Sequence, residues 1–492
     1  LQTISEAIDR HAETILRDYN VPGLAFAIVK DDELLLAKGY GVREMGSKLI
    51  VNANTRFGIA SISKSFTAMA LGMLVDQGKL IWSDPVRQLI PTFQMHDLFA
   101  SREITVRDLL VHRSGLPEIA GGTLWYGSNL SRDQVIEGMR YLKPVSSFRS
   151  CYAYQNITYL AAGQIIPVLT GRSWDDFVRE RIFTPLGMNN SNTSIHSEDM
   201  IGNIAQPHVE VGGQLRTVAL RDYDNVGPAA SINTTAVDLS AYARLLLNNG
   251  RFAGQQLYSP QIARDLWTPH TIIPIDPQSP TAATPLMPRF HNAYALGWVI
   301  QDIPGRSQKK VSHSGGIDGL RSLLTLIPDE DLGIIVFANN EGPAPAIMTQ
   351  LILDHYWSES ESSWYNDVLG IFRQVKEKQE KESERVRVSG TTLSLPLERY
   401  AGCYHSQLVG DIEIKLEQGR LTLYFPQTPS FTTRLTHWHY DTFHLDWIDP
   451  VIPNGLLTFT LDAAGQVTVI HFDQPNLLDV DFSELHPLKR KL

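Results

Sequence analysis

A serine and a lysine stand three residues apart in the stretch F-G-I-A-S-I-S-K-S-F, which runs from Phe57 to Phe66. If this stretch opens a helix, Ser61 and Lys64 share one face and bring a hydroxyl within hydrogen-bonding reach of an amine. The amine can accept a proton near neutral pH only where burial or nearby positive charge lowers its pKa. The spacing therefore predicts a nucleophile with its base. The structural alternative is a helix N-cap at Ser61 and a solvated Lys64.

The same spacing occurs a second time, at Ser307 and Lys310 in the polar loop G-R-S-Q-K-K. No helical pattern fixes the geometry of that loop. After Lys64, in contrast, apolar residues recur at helical spacing until Gly78 provides a stop signal. The first copy is therefore the candidate for nucleophilic catalysis, with its backbone N–H at a helix N-terminus as half of an oxyanion hole.

A phenol and an amide follow in C-Y-A-Y-Q-N-I-T-Y-L-A-A-G, where Tyr154 and Asn156 are two residues apart. A loop can direct both side chains at one point, and the apolar helical pattern after Asn156 would anchor that loop. Tyr223 and Asn225 repeat the spacing without such a helix. A tyrosine that only donates a structural hydrogen bond is the alternative at both places.

The third candidate element is K-K-V-S-H-S-G-G-I-D-G-L-R-S, in which His313 precedes a glycine-rich strand. Glycine within a strand often marks the close approach of another backbone or a ligand. Gly315 and Gly316 would let a substrate lie along the strand edge, with one N–H completing the oxyanion hole and His313 lining the pocket. A purely structural role for His313 is the alternative.

An antiparallel sheet is the predicted frame for these residues. An N-terminal helix and a hairpin over residues 24–29 and 33–38 would pair with late strands at residues 295–300, 322–327 and 333–338. The intervening segment, roughly 85–290, alternates short helical patterns with loops. The pattern predicts an α+β domain with a helical subdomain inserted into it.

The chain divides into three predicted parts. Residues 1–345 would form the domain that contains the candidate nucleophile, and residues 346–392 a helical connector with a charged run from Arg373 to Val388. Residues 393–492 contain about eight short apolar runs at roughly ten-residue spacing, which is typical of a small all-β barrel.

Composition excludes several classes of function. The 492 residues carry 53 acidic and 43 basic side chains, and the net charge of −10 disfavours nucleic acid and anionic membranes as partners. No apolar run approaches the roughly 18 residues that span a bilayer. Cys151 and Cys403 fit neither a metal site nor a disulfide framework, and a reactive thiol at Cys151 is a lesser alternative. We expect no cofactor or metal, and a cytoplasmic location unless a signal peptide was removed.

The chain carries three motifs in a fixed order, Ser61-Lys64, Tyr154-Asn156 and His313-Ser314-Gly315. Their order resembles the serine β-lactamase and penicillin-binding-protein superfamily. The Tyr-x-Asn form is similar to the branch that contains class C β-lactamases, D-alanyl-D-alanine carboxypeptidases and CubicO proteins. The phrases L-L-V-H-R-S-G-L-P, T-P-L-G-M and A-L-G-W also resemble that branch, so the likeness covers most of residues 1–345 and implies a β-lactamase/transpeptidase-like fold.

The resemblance implies roles for the motif residues. Ser61 would be the acylated nucleophile, and Lys64 would keep Ser61 and Tyr154 poised for proton transfer. Tyr154 would act as base toward Ser61 or the deacylating water, and as acid toward the leaving group. Asn156 would orient the substrate amide, and the backbone N–H groups of Ser61 and Gly316 would form the oxyanion hole.

The third motif departs from the family pattern, since His313, Ser314 and Gly315 stand where β-lactamases typically carry Lys-Thr-Gly. A histidine that titrates near neutrality replaces the permanent cation that recognises the antibiotic carboxylate. The resemblance therefore implies a serine peptidase for small peptides, with D-amino-acid peptides a favoured class. The alternatives are an esterase, a weak β-lactamase, or a sensor that binds a peptide or β-lactam without turnover.

The C-terminal part is similar to the lipocalin-like barrel that some CubicO-group and D-aminopeptidase-like proteins append. We expect it to cap the active-site cleft or to mediate assembly. The layout also resembles the archaeal self-compartmentalising serine protease of this group, which implies a closed homo-oligomer.

Overall fold

The computed structural model describes residues 2–358, 364–383 and 385–491. Its centre is an eight-stranded antiparallel sheet in the order β2-β1-β8-β7-β6-β5-β4-β3. The strands are β1 (Gly23–Lys30), β2 (Glu33–Gly41), β3 (Thr271–Ile272), β4 (Asn292–Tyr294), β5 (Val299–Asp302), β6 (Lys309–Ile317), β7 (Leu320–Ile327) and β8 (Leu332–Ala338). The predicted pairing of the early hairpin with the late strands is confirmed, with Leu24 opposite Ala338 in the β1–β8 ladder.

Helices cover both faces of this sheet, which explains why β1 is apolar at nearly every position. Leu24, Phe26 and Ile28 face the helices Gln2–Asp18, Ala344–Tyr356 and Trp364–Ser383. The alternate residues of β1 belong to the main core with the helices Ser63–Asp76 and Ala236–Leu247. A strand buried on both faces loses the apolar–polar alternation of an exposed sheet.

The segment between β2 and β3 is mainly helical, as predicted. Its further helices are Val86–Leu89, Leu98–Glu103, Val106–Leu110, Gly122–Trp125, Arg132–Gly138, Ile157–Gly163, Ile165–Thr170, Trp174–Val178, Thr184–Leu186, Gly227–Ala230 and Pro260–Leu266, with a π-helical turn at Arg179–Phe183. Short two-stranded pairs join Phe57–Gly58 to Asn233–Thr234, His208–Val211 to Gln214–Thr217, and Arg251–Phe252 to Gln255–Gln256.

The C-terminal strands close into an eight-stranded barrel, which confirms the predicted architecture. They are β9 (Gly402–Ser406), β10 (Gly410–Glu417), β11 (Arg420–Tyr424), β12 (Thr433–His439), β13 (Thr442–Trp447), β14 (Gly455–Leu461), β15 (Val467–Asp473) and β16 (Leu488–Arg490). The barrel interior shares one continuous hydrophobic core with the part of the chain that precedes it and contains the candidate catalytic residues, hereafter the catalytic part.

The prediction of a strand over residues 295–300 is wrong for residues 295–298. Residues 295–298 form a tight turn between β4 and β5, closed by the Ala295 N–H that donates to the Trp298 carbonyl at 2.7 Å. Gly297 takes a φ of +80°, and a Cβ there would lie 2.9 Å from the Cα of Ser65. The apolar run A-L-G-W is buried because this turn packs on the Ser63–Asp76 helix. Its apolar character therefore indicated a strand where the chain forms a buried turn.

Within the described part of the chain, no helix combines the length and the apolar character that a membrane span requires.

Candidate active site

Ser61 lies in a short 3₁₀ turn, Ala60–Ile62, that leads directly into the Ser63–Asp76 helix. The residue before it, Ala60, adopts a φ of +49°, a left-handed conformation that a non-glycine residue takes only at a cost. The preceding segment is fixed by the Ile59 N–H, which donates to the Ile232 carbonyl at 2.9 Å. Ser61 therefore has a rigid place at a helix start, as its sequence context predicted.

Lys64 joins two of the predicted motifs. Its Nζ donates to Oγ of Ser61 at 2.9 Å, to Oδ1 of Asn156 at 2.5 Å and to the Ala229 carbonyl at 3.1 Å. The side chain of Lys64 is fully buried, which rules out the alternative of a solvated lysine. Burial lowers the pKa of Lys64 to about 7, although Asp479 acts in the opposite direction. Near neutral pH an uncharged amine is therefore available next to the Ser61 hydroxyl.

Tyr154 places its ring over this amine, with Nζ of Lys64 4.7 Å from the ring centroid. Desolvation raises the pKa of Tyr154 well above its usual value, while a hydrogen bond to Ser61 acts against that rise. Tyr154 is therefore a neutral phenol at physiological pH. Of the two groups beside Ser61, the lysine accepts a proton more readily and the tyrosine is suited to donate one.

The sequence prediction missed His112, which lies within a phrase noted only for its resemblance. Its ring is buried, 4.2 Å from that of Tyr154 and 4.4 Å from that of Tyr294 between centroids. The Gln155 N–H donates to Nδ1 of His112 at 3.2 Å, so the proton of the neutral ring lies on Nε2, which has no hydrogen-bond partner among the described residues. His112 thus packs against the Tyr154 ring and holds the backbone N–H of the next residue, Gln155.

His313 is buried behind the same aromatic group. Its Nδ1–H donates to the Ser314 carbonyl at 2.7 Å, and its Nε2 accepts from the Tyr294 hydroxyl at 2.8 Å. Burial lowers the pKa of His313 to about 3, and the positive charge of Lys64 adds to the effect. The expectation that this histidine titrates near neutrality is therefore wrong, because burial in the packed fold disfavours its charged form. The Ser314 side chain is exposed.

The two glycines of β6 have different neighbours. A Cβ at Gly315 would overlap the Ile59 carbonyl oxygen and the Ser322 hydroxyl, and Ser322 itself donates to that carbonyl at 2.8 Å. Gly315 thus permits the close approach of the chain's own backbone just before Ser61. Gly316 is more open, since a Cβ there would meet Cδ2 of Leu478 at 3.2 Å.

The barrel adds a carboxyl group that sequence reasoning missed. Asp479 lies in a tight turn between β15 and β16. Burial raises the pKa of Asp479 above its usual value, although Lys64 and a hydrogen bond to Asn156 act in the opposite direction. Asn156 therefore stands between the two groups, accepting from Lys64 through Oδ1 and facing Asp479 with its amide. The loop Q-P-N-L-L-D-V-D gives no signal of this role, because its partners are distant in sequence.

Other contacts fasten the barrel to the catalytic part. Oε2 of Glu484 accepts from the Gly121 N–H at 2.8 Å, and Oε1 accepts from the Thr123 N–H at 2.8 Å and from the Thr123 hydroxyl. Arg221 pairs with Asp449 of the barrel at 2.6 Å. These contacts place the barrel against the catalytic part, and the expectation that it caps the cleft or mediates assembly stays a prediction.

Asn225 of the repeated Tyr-x-Asn spacing and one further polar cluster have other partners. Asn225 donates to the carbonyls of Trp125 and Ser128, at 3.0 and 3.3 Å, which is a structural role. Of the described residues, His196, Asp222 and Asp224 bring ligand atoms within 4.8 Å of one another. His196 and Asp222 are exposed and already form an ion pair at 2.9 Å. We therefore assign no metal-binding role to this cluster.

Comparisons with known proteins identify the family of this chain. A family model described as Beta-lactamase matches residues 8–356, and one described as Domain of unknown function (DUF3471) matches residues 386–486. Unguisins hydrolase ungD of Aspergillus violaceofuscus is 26% identical over 503 residues, across 94% of this chain and 84% of the relative.

Two solved structures share the fold. The octameric penicillin-binding protein homologue from Pyrococcus abyssi has a TM-score of 0.62 and 19% identity, covering 98% of this chain and 99% of that one. The D-amino acid amidase from Ochrobactrum anthropi SV3, in complex with L-phenylalanine amide, has a TM-score of 0.59 and 21% identity, covering 72% of this chain and 99% of that one. The first matches both the catalytic part and the barrel.

Proposed function

Because the chain belongs to the Beta-lactamase family of serine hydrolases, we propose that it is a peptidase that hydrolyses small peptides through an acyl-enzyme on Ser61. The observation that carries the proposal is the 2.9 Å contact between Nζ of the buried Lys64 and Oγ of Ser61. Since burial lowers the pKa of Lys64 to about 7, this amine can take the Ser61 proton at physiological pH.

The proposed reaction has two halves. Oγ of Ser61 attacks the substrate carbonyl carbon while its proton passes to Nζ of Lys64. The leaving amine then takes a proton from the Tyr154 hydroxyl as the C–N bond breaks, and Lys64 returns the proton to Tyr154. In the second half, water attacks the acyl carbon, the water's proton passes through the same groups, and Ser61 is regenerated. Ser61 and Gly316 are the proposed N–H donors to the oxyanion.

The position of Asp479 favours a substrate with a free amine. A protonated amine on the residue that supplies the attacked carbonyl would pair with this carboxylate, which lies near Lys64 and Asn156. Such an enzyme would remove a single N-terminal residue. The D configuration is proposed from the likeness to the D-amino acid amidase, and Asn156 and Ser314 would contact the peptide beyond that residue.

β-Lactam hydrolysis is the weaker candidate. The neutral His313 supplies no cation for the antibiotic carboxylate, and Asp479 would repel it. We propose that His313 holds the Tyr294 hydroxyl and the strand beside the cleft in place, and that it exchanges no proton during the reaction.

The test uses one short peptide in two versions that differ only in the chirality of the N-terminal residue. Wild type and Ser61→Ala are incubated with each, and mass spectrometry follows both the products and any protein adduct. We expect the wild type alone to release the N-terminal residue and to show a transient acyl adduct on Ser61, with the D peptide preferred. An adduct without turnover would identify a sensor instead. Cleavage of a neutral ester but of neither peptide, tested with the same two proteins, would identify an esterase.

We also propose that the protein forms a homo-oligomer, because the Pyrococcus abyssi relative that matches both parts of the chain is octameric. Light scattering of the purified chain tests this proposal, and a monomeric mass at micromolar concentration would contradict it.

A further inference from the structure

The barrel approaches the proposed catalytic groups through the tight turn at residues 477–480. The Leu477 N–H donates to the Val480 carbonyl at 3.1 Å and closes the turn. On the outside of the turn, Leu478 lies on Gly316 and the Asp479 carbonyl lies on Gly122. The position of the Asp479 carboxylate therefore depends on the elements that hold the turn at its two ends.

Glu484 forms the polar attachment on the C-terminal side of this turn. It belongs to a 3₁₀ turn, Phe482–Leu485, whose two apolar ends are buried in the barrel. From there its carboxyl group crosses to the catalytic part and binds Gly121 and Thr123 through three donors. Glu484 thereby connects a buried turn of the barrel to residues 121–123, which lie against the Asp479 carbonyl.

The segment that receives Glu484 is itself connected to the catalytic phenol. The Ile119 N–H donates to the Tyr154 carbonyl at 2.6 Å. Ile119 and Gly121 have left-handed φ values of +56° and +84°, so the segment has a specific and restricted shape. Residues 119–123 thus contact the backbone of Tyr154, the carbonyl of Asp479 and the carboxyl group of Glu484.

We propose that Glu484 is a positioning residue that seats the 477–480 turn and so fixes the Asp479 carboxylate relative to the carbonyl attacked by Ser61. This inference rests on the proposed function, in which Asp479 binds the substrate amine. A carboxyl group suits the position because both of its oxygens can accept from backbone N–H groups. A glutamine would place its NH₂ against either Gly121 N–H or Thr123 N–H and leave that donor unpaired.

The experiment compares Glu484→Gln with Glu398→Gln, a matched control in another 3₁₀ turn of the barrel whose side chain is exposed. Thr123→Val removes one donor to Glu484 without changing the size of the side chain, and Thr123→Ser keeps the hydroxyl. The first readout is selectivity, the ratio of kcat/KM for a D-aminoacyl peptide to kcat/KM for its analogue without the amine. The second is hydrogen–deuterium exchange of peptides that cover residues 476–481.

We expect Glu484→Gln to lower the selectivity about 10-fold, the scale of a buried donor left unpaired, and to speed exchange at residues 476–481. Thr123→Val should change both in the same direction, whereas Thr123→Ser and Glu398→Gln should match the wild type. Equal losses on both substrates with unchanged exchange would overturn the inference, because Glu484 would then have only a general structural role.

The two proposals fail in different ways. If the wild type cleaves no peptide, the proposed function fails, and the exchange measurement alone decides the inference. If the wild type cleaves both substrates equally and Asp479→Asn changes nothing, amine recognition is absent and the inference is overturned as well.

Discussion

The backbone carbonyl of Asp479 lies against Gly122, in the space that a Cβ atom at residue 122 would occupy. Gly122 begins a short helix of the catalytic part, and Asp479 belongs to the barrel. Because both contacting groups belong to the backbone, no flexible side chain can move aside. The barrel can therefore approach the cleft this closely only if residue 122 is glycine.

Gly122→Ala is therefore expected to displace the 477–480 turn. The overlap should reduce the free energy of unfolding by about 1–3 kcal/mol, the usual cost of overpacking, and should lower the preference for substrates with a free amine. Denaturant unfolding and paired kinetic assays measure the two effects. Gly370→Ala is the control, because nothing lies within 4 Å of a Cβ at that helical position. Its stability should stay equal or rise, since alanine favours a helix.

The pH dependence of acylation should report Lys64. With its pKa at about 7, Lys64 is a cation below that pH and a free amine above it, so kcat/KM should rise with pH and level off above a midpoint near 7. Lys64→Met should slow acylation by roughly 10²- to 10⁴-fold, the range of general base catalysis. Lys310→Met, in the second Ser-x-x-Lys, provides the control. A flat pH profile in the wild type would contradict the assignment of Lys64 as base.

Asp479→Asn should shift that midpoint to lower pH when the substrate has no amine. The carboxylate of Asp479 raises the pKa of Lys64 against the effect of burial, so its removal leaves burial unopposed and lowers the pKa of Lys64. Stopped-flow acylation by a neutral ester over a pH series measures the shift. Asp446→Asn, on a partly exposed aspartate of the barrel, should leave the midpoint in place. A shift to higher pH would show that the two groups are not coupled in this way.

Much of the fold could be predicted because the signals were local. The hairpin of β1 and β2, the helix after Ser61 and the eight barrel strands each follow from apolar spacing with turn residues between, and the resemblance of the three motifs correctly indicated the Beta-lactamase family. The error at residues 295–298 arose because a buried turn and a buried strand are equally apolar. Gly297, which needs a left-handed conformation, was the residue that distinguished them.

The candidate site could be predicted only where its residues lie within motifs. Ser61, Lys64, Tyr154 and Asn156 stood out through their spacing, and the structure brings them together. Asp479 and Glu484 could not be found in this way, because their partners are contributed by another part of the chain and isolated carboxylates in a loop are common. The pKa of His313 also required the structure, since only the packed fold reveals its burial.

The tyrosine assignment can be tested by removing a single oxygen atom. Tyr154→Phe keeps the ring over Lys64, so the packing should remain while the proton donor is lost. We expect slower release of the leaving amine, with a smaller effect on esters whose leaving group needs no proton. Tyr223→Phe, in the repeated Tyr-x-Asn spacing, should leave the ratio of amide to ester hydrolysis unchanged. Equal losses on both substrates in Tyr154→Phe would argue against a role as acid.

The two glycines of β6 predict different outcomes for the same substitution. A Cβ at Gly315 overlaps the Ile59 carbonyl, which is part of the backbone that holds Ser61 in place. Gly315→Ala should therefore lower the free energy of unfolding by about 1–3 kcal/mol and reduce acylation on every substrate. Gly316→Ala meets the ends of two flexible side chains, Leu478 at 3.2 Å and Arg321 at 3.3 Å, so its stability should change by less than about 1 kcal/mol. Thermal unfolding and active-site titration compare the pair. If Gly316→Ala proved the more damaging of the two, the close approach of β6 to Ile59 would not be what positions Ser61.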